Sequence, residues 1–524
     1  MRTAHLLFPL TALALGLCRG GAADAPALAV RVTTPSGILE GTADADGVRS
    51  FKGIPYALPP LGTLRWAEPQ PFPHWEGVRP ATAFGPRPEQ LPNHFRDMIF
   101  RSTSMSEDCL YLNVWTQAAP GDRLPVLVYL HGGGLTTGDG SELRYDGASM
   151  ARRGIVAVTI NYRLGIFGFL SHPELTLESA HHASGNYGHL DQVAALHWIH
   201  DNIAAFGGDP GRVTLDGQSA GATSVCAMMA SPLARGLFQG AIGESGSVLG
   251  NPGQLDLTQA EQEGVALAKR AGALSLADLR RMPAEQILPL QKGIIYSRRV
   301  EVDGYLFPAH PEEIFFTGRQ ADVPLLVGWN SAEMPVSQVL GNDPARPDTF
   351  AAAARKFYRA REDKVLTLYP ARTNDEARQA AEDLASDRSI GYRTWKWADM
   401  HAKSGGKPVF RYLYSQLLPP EAGPGATVDA EPALGAPHSA EIPYVLGNLP
   451  FFPVFAWTPA DMKTSEIAQG YFVNFIKTGD PNGPGLPKWT WMQASIPHVM
   501  VLSAEPHLIP EPHLDRYLFL DSLQ

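Results

Sequence analysis

Long apolar runs recur along the chain, and helix-like segments fill the intervals between them. The runs Pro125–Leu130 and Ile155–Ile160 are almost wholly apolar, as is typical of strands buried on both faces. After them, residues 185–203 carry apolar side chains at helical spacing, up to the breaker cluster Phe206–Pro210 and the strand-like run Arg212–Asp216. This alternation predicts an α/β fold, with a central, mostly parallel sheet and helices on both faces.

The two ends of the chain add further elements. Residues 29–32 and 48–51 alternate between apolar and polar side chains, which predicts short antiparallel strands. Runs at 323–328 and 408–414 predict two more strands, and residues 465–477 have the spacing of a core-packing helix. No repeat, heptad or low-complexity block divides the chain, so we expect one domain over residues 24–524.

The first 23 residues form a separate segment. Arg2 is followed by an apolar run from Leu6 to Leu17 and by small residues up to Ala23, the pattern of a secretory signal peptide. This run has about a dozen residues, whereas a membrane-spanning helix needs about 20. We therefore expect cleavage after residues 1–23 and a secreted or periplasmic protein without a membrane span.

Charge and cysteine content exclude several classes of protein. The formal net charge is −10, which argues against nucleic acid or an anionic membrane as partner. Cys18 leaves with the signal segment, so Cys109 and Cys226 cannot build a disulfide framework, and whether they are free thiols stays open. The histidines between residues 181 and 200 fit no standard ligand spacing and have no acidic cluster beside them, so we expect packed or solvated side chains and no metal site. The oligomeric state cannot be inferred.

The most informative stretch is Gly217–Gly221, which reads Gly-Gln-Ser-Ala-Gly. It lies between the strand-like run Arg212–Asp216 and a helix-like run at 223–229, and this order is that of a nucleophile elbow. The turn exposes the central hydroxyl, and the two flanking glycines leave room for backbone and substrate. Ser219 is therefore the candidate nucleophile, although five such residues are a weak signal by themselves.

A second glycine cluster, His131–Gly134, follows the buried run at 125–130. Its consecutive glycines expose backbone N–H groups, which is how acyl-transfer enzymes build half of an oxyanion hole. A phosphate loop is disfavoured because no Lys-Ser/Thr pair follows and no helix begins there. An ordinary flexible loop remains the alternative.

Taken together, these motifs resemble the type-B carboxylesterase family, the cholinesterase-like branch of the α/β-hydrolases, in a bacterial secreted form. One family signature is Glu107–Trp115, and the other joins Phe206–Gly208 to Gly217–Gly221. Asn161–Arg163 and Gly185–Asn186 follow the order of the family as well. The resemblance covers nearly all of the mature chain and implies an α/β-hydrolase fold with helical and loop insertions over the active site.

The resemblance also implies the partners of Ser219. In this fold the chain order is serine, acid, histidine. The position after the strand at 323–328 implies Glu333 as the acid, and a His-x-x-Glu segment implies His438 as the base; a solvated glutamate and a turn histidine are the alternatives. The backbone N–H groups that would bind the oxyanion are those of Gly133, Gly134 and Ala220.

The activity implied is that of a serine carboxylesterase, which hydrolyses small-molecule esters through an acyl-enzyme and needs no cofactor. Two other classes stay open. One is a non-enzymatic adhesion module of the same fold, and the other is an amidase or thioesterase with the same three residues.

Four residues are candidates for contact with the substrate. Gln218 replaces the glutamate that usually precedes the nucleophile of the family, which removes a buried negative charge near the base. Leu135 directly follows the glycine cluster. Tyr296 and Arg298 lie in the segment that corresponds to the acyl pocket. We hypothesise that Arg298 or Arg299 pairs with a carboxylate on the acyl group, and a solvated loop pair is the alternative.

The loop before Cys109 departs from the family pattern. The usual loop disulfide of the family ends at this position, but no cysteine precedes it in the mature chain. We expect the loop from about Phe84 to Ser106 to be more mobile, and Cys109 to be a packed thiol. Ile99 stands where cholinesterases carry a tryptophan that binds quaternary ammonium groups, so choline esters are poor candidate substrates.

Overall fold

The structure is a computed structural model, and it describes residues 28–92, 97–251, 253–296, 300–423, 432–492 and 497–524. The predicted signal peptide and the two arginines of the acyl-pocket hypothesis, Arg298 and Arg299, lie outside these residues. Within them, no helix combines the length and the hydropathy that crossing a membrane requires.

Among the described residues, six strands come first in the chain, and from residue 124 onward strands alternate with single helices or groups of helices. The strands are β1 (Leu28–Thr34), β2 (Gly37–Ala43), β3 (Arg49–Pro55), β4 (Val78–Pro80), β5 (Tyr111–Thr116), β6 (Leu124–Leu130), β7 (Val156–Ile160), β8 (Gly208–Gln218), β9 (Gly240–Glu244), β10 (Gln254–Asp256), β11 (Val300–Val302), β12 (Leu325–Asn330), β13 (Val409–Tyr414), β14 (His498–Leu502) and β15 (His507–Pro510). The α-helices are α1 (Ala148–Arg152), α2 (Gly165–Phe169), α3 (Pro173–Glu178), α4 (Tyr187–Asn202), α5 (Ala220–Ala230), α6 (Leu257–Arg270), α7 (Leu276–Arg281), α8 (Ala284–Ile287), α9 (Pro311–Phe316), α10 (Ser337–Leu340), α11 (Pro347–Tyr358), α12 (Glu362–Leu368), α13 (Asn374–Ser386), α14 (Tyr392–Ser404), α15 (Ile442–Val445), α16 (Pro459–Thr478) and α17 (Leu514–Asp521).

One large sheet dominates the molecule. Its strand order is β1-β2-β3-β5-β7-β6-β8-β9-β12-β13-β14-β15, and β4 pairs with β2. In this order the strands from β7 to β14 run parallel to one another, while the pairs from β1 to β7 and the pair β14–β15 are antiparallel; β4 runs parallel to β2. The predicted mostly parallel sheet is confirmed.

Both faces of the sheet are covered. Along β6, Val126, Val128 and Leu130 pack into the same core cluster as residues of α4 and α5. The alternate residues Leu127 and Tyr129 pack into the cluster on the other face, which contains residues of α16. Because side chains alternate between the faces of a strand, a strand buried on both faces is apolar throughout, as the run Pro125–Leu130 is.

The loop that was expected to be mobile has several polar anchors in its described part. Arg101 Nη1 contacts Asp146 Oδ2 at 2.6 Å, and Arg101 Nε donates to Ser141 O at 2.7 Å. Ser102 N donates to Ser141 Oγ at 2.9 Å. Cys109 and Cys226 are buried free thiols, so these contacts connect the loop to the body of the protein without a disulfide.

The parallel strands bring the motifs of the sequence to one edge of the sheet. The glycine cluster follows β6, the elbow follows β8, and Glu333 comes three residues after β12. His438 lies on the long connection that follows β13. Since parallel strands end at the same edge, segments far apart in the chain meet there.

Candidate active site

Ser219 occupies a sharp turn between β8 and α5. Its backbone has φ 58° and ψ −120°, a strained conformation for a residue other than glycine. A Cβ atom on Gly221 would lie 2.0 Å from Leu130 O, and one on Gly217 would lie 2.6 Å from the carbonyl carbon of Gly221. Both positions therefore require glycine, and the turn leaves the Ser219 side chain partly exposed.

A chain of hydrogen bonds joins Ser219, His438 and Glu333. The distance from Ser219 Oγ to His438 Nε2 is 2.9 Å, and that from His438 Nδ1 to Glu333 Oε2 is 2.5 Å. The Glu333 side chain is fully buried, whereas the His438 side chain is 27% exposed. The imidazole can therefore exchange a proton with the serine while a dry carboxylate holds its other nitrogen.

Two donors hold the second oxygen of Glu333. Ser245 Oγ and the backbone N–H of Asn330 each donate to Glu333 Oε1 at 2.6 Å. Ser245 also has a positive φ of 59°, so its side chain is aimed by a strained backbone. Neither residue was predicted from the sequence; Asn330 closely follows the strand predicted at 323–328, and Ser245 directly follows β9.

Asn330 also connects Glu333 to the loop that carries His438. Its Nδ2 donates to Pro437 O at 2.7 Å and to Glu441 Oε2 at 2.5 Å. Pro437 directly precedes His438, and Glu441 is fully buried three residues after it. The side chain of Asn330 thus fixes the turn that carries the histidine.

Opposing charges set the protonation of His438. Burial disfavours the charged ring, but the Glu333 carboxylate, through its charge and its hydrogen bond, and the more distant Glu441 outweigh it, so the pKa of His438 is raised. The cation of Arg144 acts in the opposite direction. Burial and the charge of Glu333 raise the pKa of Glu441 itself to about 7.

A pair of buried carboxyl groups, Asp216 on β8 and Glu244 on β9, lies beneath the elbow. Both residues are fully buried, and they are close enough for the charge of Asp216 to act on Glu244. Burial raises the pKa of Asp216 to about 7, and burial together with the charge of Asp216 raises the pKa of Glu244 well above its usual range. The pair therefore holds a proton at neutral pH. Ser219 N donates to the Glu244 backbone oxygen at 2.7 Å, so the pair adjoins the candidate nucleophile.

The glycine loop after β6 approaches the elbow closely. A Cβ atom on Gly132 would lie 3.2 Å from Ser219 Cβ. Gly133 and Gly134 have positive φ values of 99° and 68°, and the N–H groups of Thr136 and Thr137 donate to Gly133 O. No described residue accepts a hydrogen bond from the N–H of Gly133, Gly134 or Ala220. These three N–H groups are available to an incoming oxygen.

Of the four predicted substrate contacts, two lie beside the candidate site, one lines a separate cavity, and one is not described by the structure. Gln218 is buried, and its Nε2 lies 3.5 Å from His438 Nε2. Leu135 is buried at a positive φ of 60°, directly after the glycine loop. Tyr296 packs near Phe169 and lines a cavity of about 180 Å³ whose described lining includes none of Ser219, Glu333 and His438. Arg298 lies outside the described residues.

Comparisons with known proteins agree with this geometry. The profile of the Carboxylesterase family matches residues 28–516. The chain is 34% identical to a human cocaine esterase, covering 93% of this chain and 91% of that protein. It is 33% identical to the para-nitrobenzyl esterase of Bacillus subtilis, covering 93% and 97%. The crystal structure of a Geobacillus stearothermophilus carboxylesterase matches with a TM-score of 0.80 at 32% identity, covering 94% of this chain and 99% of that chain. The predicted α/β-hydrolase fold is thereby confirmed, and the chain belongs to the carboxylesterase family of carboxylic ester hydrolases.

Proposed function

We propose that the chain hydrolyses carboxylic esters by covalent catalysis, with Ser219 as nucleophile, His438 as general base and Glu333 as the acid that orients it. The observation that supports these roles is the unbroken hydrogen-bond chain from Ser219 Oγ through both nitrogens of His438 to Glu333. A serine hydroxyl is a poor nucleophile at neutral pH, and a base 2.9 Å away is close enough to take its proton during attack.

In acylation, His438 takes the proton of Ser219 as Oγ attacks the ester carbonyl. The developing oxyanion accepts hydrogen bonds from the N–H groups of Gly133, Gly134 and Ala220. Glu333 is fixed by Ser245 and Asn330 and stabilises the imidazolium without taking its proton. His438 then protonates the alkoxide, which leaves as an alcohol.

In deacylation, His438 acts on water instead of serine. The imidazole takes a proton as the water oxygen attacks the acyl carbonyl, and the same oxyanion donors stabilise the second tetrahedral intermediate. Collapse of this intermediate breaks the bond to Ser219 Oγ, which regains its proton from His438. The carboxylic acid is released, and the site returns to its starting state.

Active-site labelling tests the assignment. Wild-type protein should react with a fluorophosphonate at Ser219, as identified by mass spectrometry of the labelled peptide, and should hydrolyse para-nitrophenyl acetate. Ser219→Ala and His438→Ala should each lower kcat by roughly 10⁴-fold or more. The matched control is Ser389→Ala, because the Ser389 hydroxyl contacts Gln338 and none of the three residues. Labelling that persists in Ser219→Ala, or at a different serine, would refute the assignment.

The proposal also includes export of the protein and a preference for esters whose acyl group carries a carboxylate. N-terminal sequencing of protein recovered from the medium or periplasm should begin near Asp24 if residues 1–23 are a signal peptide. If Arg298 or Arg299 binds a carboxylate of the acyl group, one of Arg298→Ala and Arg299→Ala should lower the ratio of activities on dicarboxylate monoesters and simple acyl esters. An unchanged ratio in both variants would exclude that hypothesis.

A further inference from the structure

Arg144 lies in the 3₁₀ turn Leu143–Tyr145, beside the loop that carries His438. Asn448, which is fully buried, donates from Nδ2 to Arg144 O at 2.8 Å and fixes the backbone of the turn. The Arg144 side chain is only 5% exposed, which is uncommon for arginine. The turn therefore places a buried cation next to the proposed base.

The guanidinium of Arg144 joins three segments. Its Nε pairs with the buried carboxylate of Glu142, which lies two residues earlier in the sequence. Its Nη1 contacts Asp97 Oδ2 at 2.6 Å, in the loop 97–106, and donates to Ser439 Oγ at 3.3 Å, in the turn that carries His438. A planar group held from several directions has little freedom to change its rotamer. Arg144 thus connects loop 97–106 to the histidine turn.

Ser439 is the residue through which this contact reaches the base. It directly follows His438 and has a φ of 67°, a left-handed conformation that is uncommon outside glycine. Ala440 N donates to Pro437 O at 3.2 Å and closes the turn around the histidine. Because the turn is tight, a change at Ser439 should rotate the imidazole relative to Ser219 Oγ, and small displacements of a base lower the rate steeply.

The charge of Arg144 also acts on the imidazole. The charged groups that face His438 are Glu333 from the end of β12, Glu441 from its own turn, and Arg144 from the 3₁₀ turn; Gln218, from the elbow, is neutral. The two carboxylates favour the protonated ring, and the guanidinium disfavours it. Removing Arg144 should therefore raise the pKa of His438 further.

We propose that Arg144 is a positioning residue for His438, which holds the left-handed turn at Ser439 and anchors that turn to loop 97–106 through Asp97. This inference rests on the proposed role of His438 as the base. It assigns a function in the reaction to a side chain that takes no part in the Ser219–His438–Glu333 chain.

The test compares Arg144→Met and Arg144→Lys in the full-length mature protein with para-nitrophenyl acetate as substrate. Arg144→Met should lower kcat by about 10-fold with KM nearly unchanged, and should move the acidic limb of kcat/KM to higher pH. Arg144→Lys keeps the charge but not the planar fork, so it should lower kcat less and leave the acidic limb in place.

The matched control is Arg101→Met. Arg101 ties the same loop to Asp146 but does not contact the histidine turn in the described structure, so its loss should leave the acidic limb unchanged. Removal of Arg144 leaves Glu142 buried without its cation. The double variant Glu142→Gln/Arg144→Met removes both charges and provides a second measurement if the single variant fails to fold.

A double-mutant cycle with Ser439→Ala tests the route. If Arg144 acts through Ser439, the double variant Arg144→Met/Ser439→Ala should lose no more kcat than the more impaired single variant. Additive losses, or an acidic limb that moves equally in Arg101→Met and Arg144→Met, would overturn the inference. If neither Arg144→Met variant folds, Ser439→Ala alone decides, because an unchanged kcat overturns the proposal. An active His438→Ala variant would instead refute the proposed function itself.

Discussion

The buried pair Asp216–Glu244 predicts that a single isosteric substitution stabilises the protein, and does so only at higher pH. Asp216 is fully buried, and its pKa is about 7, against an ordinary value of 3.8. The folded protein therefore binds this proton more tightly than the unfolded chain does. The contribution of Asp216 to stability is fully present below pH 3.8 and is lost as the pH rises through 7.

The size of this effect follows from the two values. At about 1.4 kcal/mol for each tenfold change, raising the pKa from 3.8 to about 7 corresponds to a loss of up to roughly 4 kcal/mol above neutral pH. Asparagine cannot ionise, and it is close to aspartic acid in size and shape. Asp216→Asn should therefore gain on the order of 2–4 kcal/mol relative to wild type when the pH is raised from 4 to 8.

Equilibrium urea unfolding at pH 4 and pH 8, followed by tryptophan fluorescence, measures this difference. Comparing the two pH values cancels any pH-independent cost of packing the amide. Asp209→Asn is the control on the same strand, because the hydrogen bond from Arg123 lowers the pKa of Asp209. The ionised Asp209 side chain stabilises the protein above pH 3.8, and this contribution is lost as the pH falls. Asp209→Asn should therefore lose stability relative to wild type when the pH is raised from 4 to 8. The reasoning would be refuted if Asp216→Asn and wild type differed by the same free energy of unfolding at both pH values, or if the variant were relatively less stable at pH 8 than at pH 4.

Three further predictions concern activity. Gly132→Ala should lower kcat by roughly 10–100-fold, since its Cβ would lie 2.7 Å from Gln218 O and must displace the elbow; the rate of fluorophosphonate labelling should fall in parallel. Asn330→Ala leaves Glu441 without its closest donor and should cost about 1–3 kcal/mol in urea unfolding as well as lowering kcat; wild-type stability would contradict the role given to Asn330. Glu441→Gln removes a carboxylate that raises the pKa of His438, so the acidic limb of kcat/KM should move to lower pH, and a move to higher pH would contradict it.

The sequence predicted the centre of the fold better than its edges. The runs at 125–130 and 155–160 became β6 and β7 because a strand buried on both faces has no polar position to obscure it. β2 was missed, since it contains Gly37 and Gly41, which are typical of turns. At Gly41 a Cβ atom would lie 2.3 Å from Ser50 O, so the glycine is required by the closeness of β3, which no local pattern reveals.

For the site, the sequence named the residues of the hydrogen-bond chain but not those that support them. Ser219, Glu333 and His438 came from motifs and chain order, which are local or collinear signals. Glu244 lies on β9, next to the strand β8 that carries Asp216, and Arg144 contacts a residue 295 positions away. Such pairs depend on how distant strands and loops meet, so each residue by itself looked like an ordinary polar position.

The order of strands in the sheet has a consequence for how the protein gains its activity during synthesis. On one side of β8 the strands β9, β12, β13, β14 and β15 follow in chain order, so each can pair with a neighbour that has already been translated. The elbow is complete after α5, but Glu333 arrives only with β12 and His438 only after β13. A growing chain thus carries Ser219 without its proposed base through the synthesis of more than 200 further residues, from 219 to 438, and gains His438 when most of the sheet is in place.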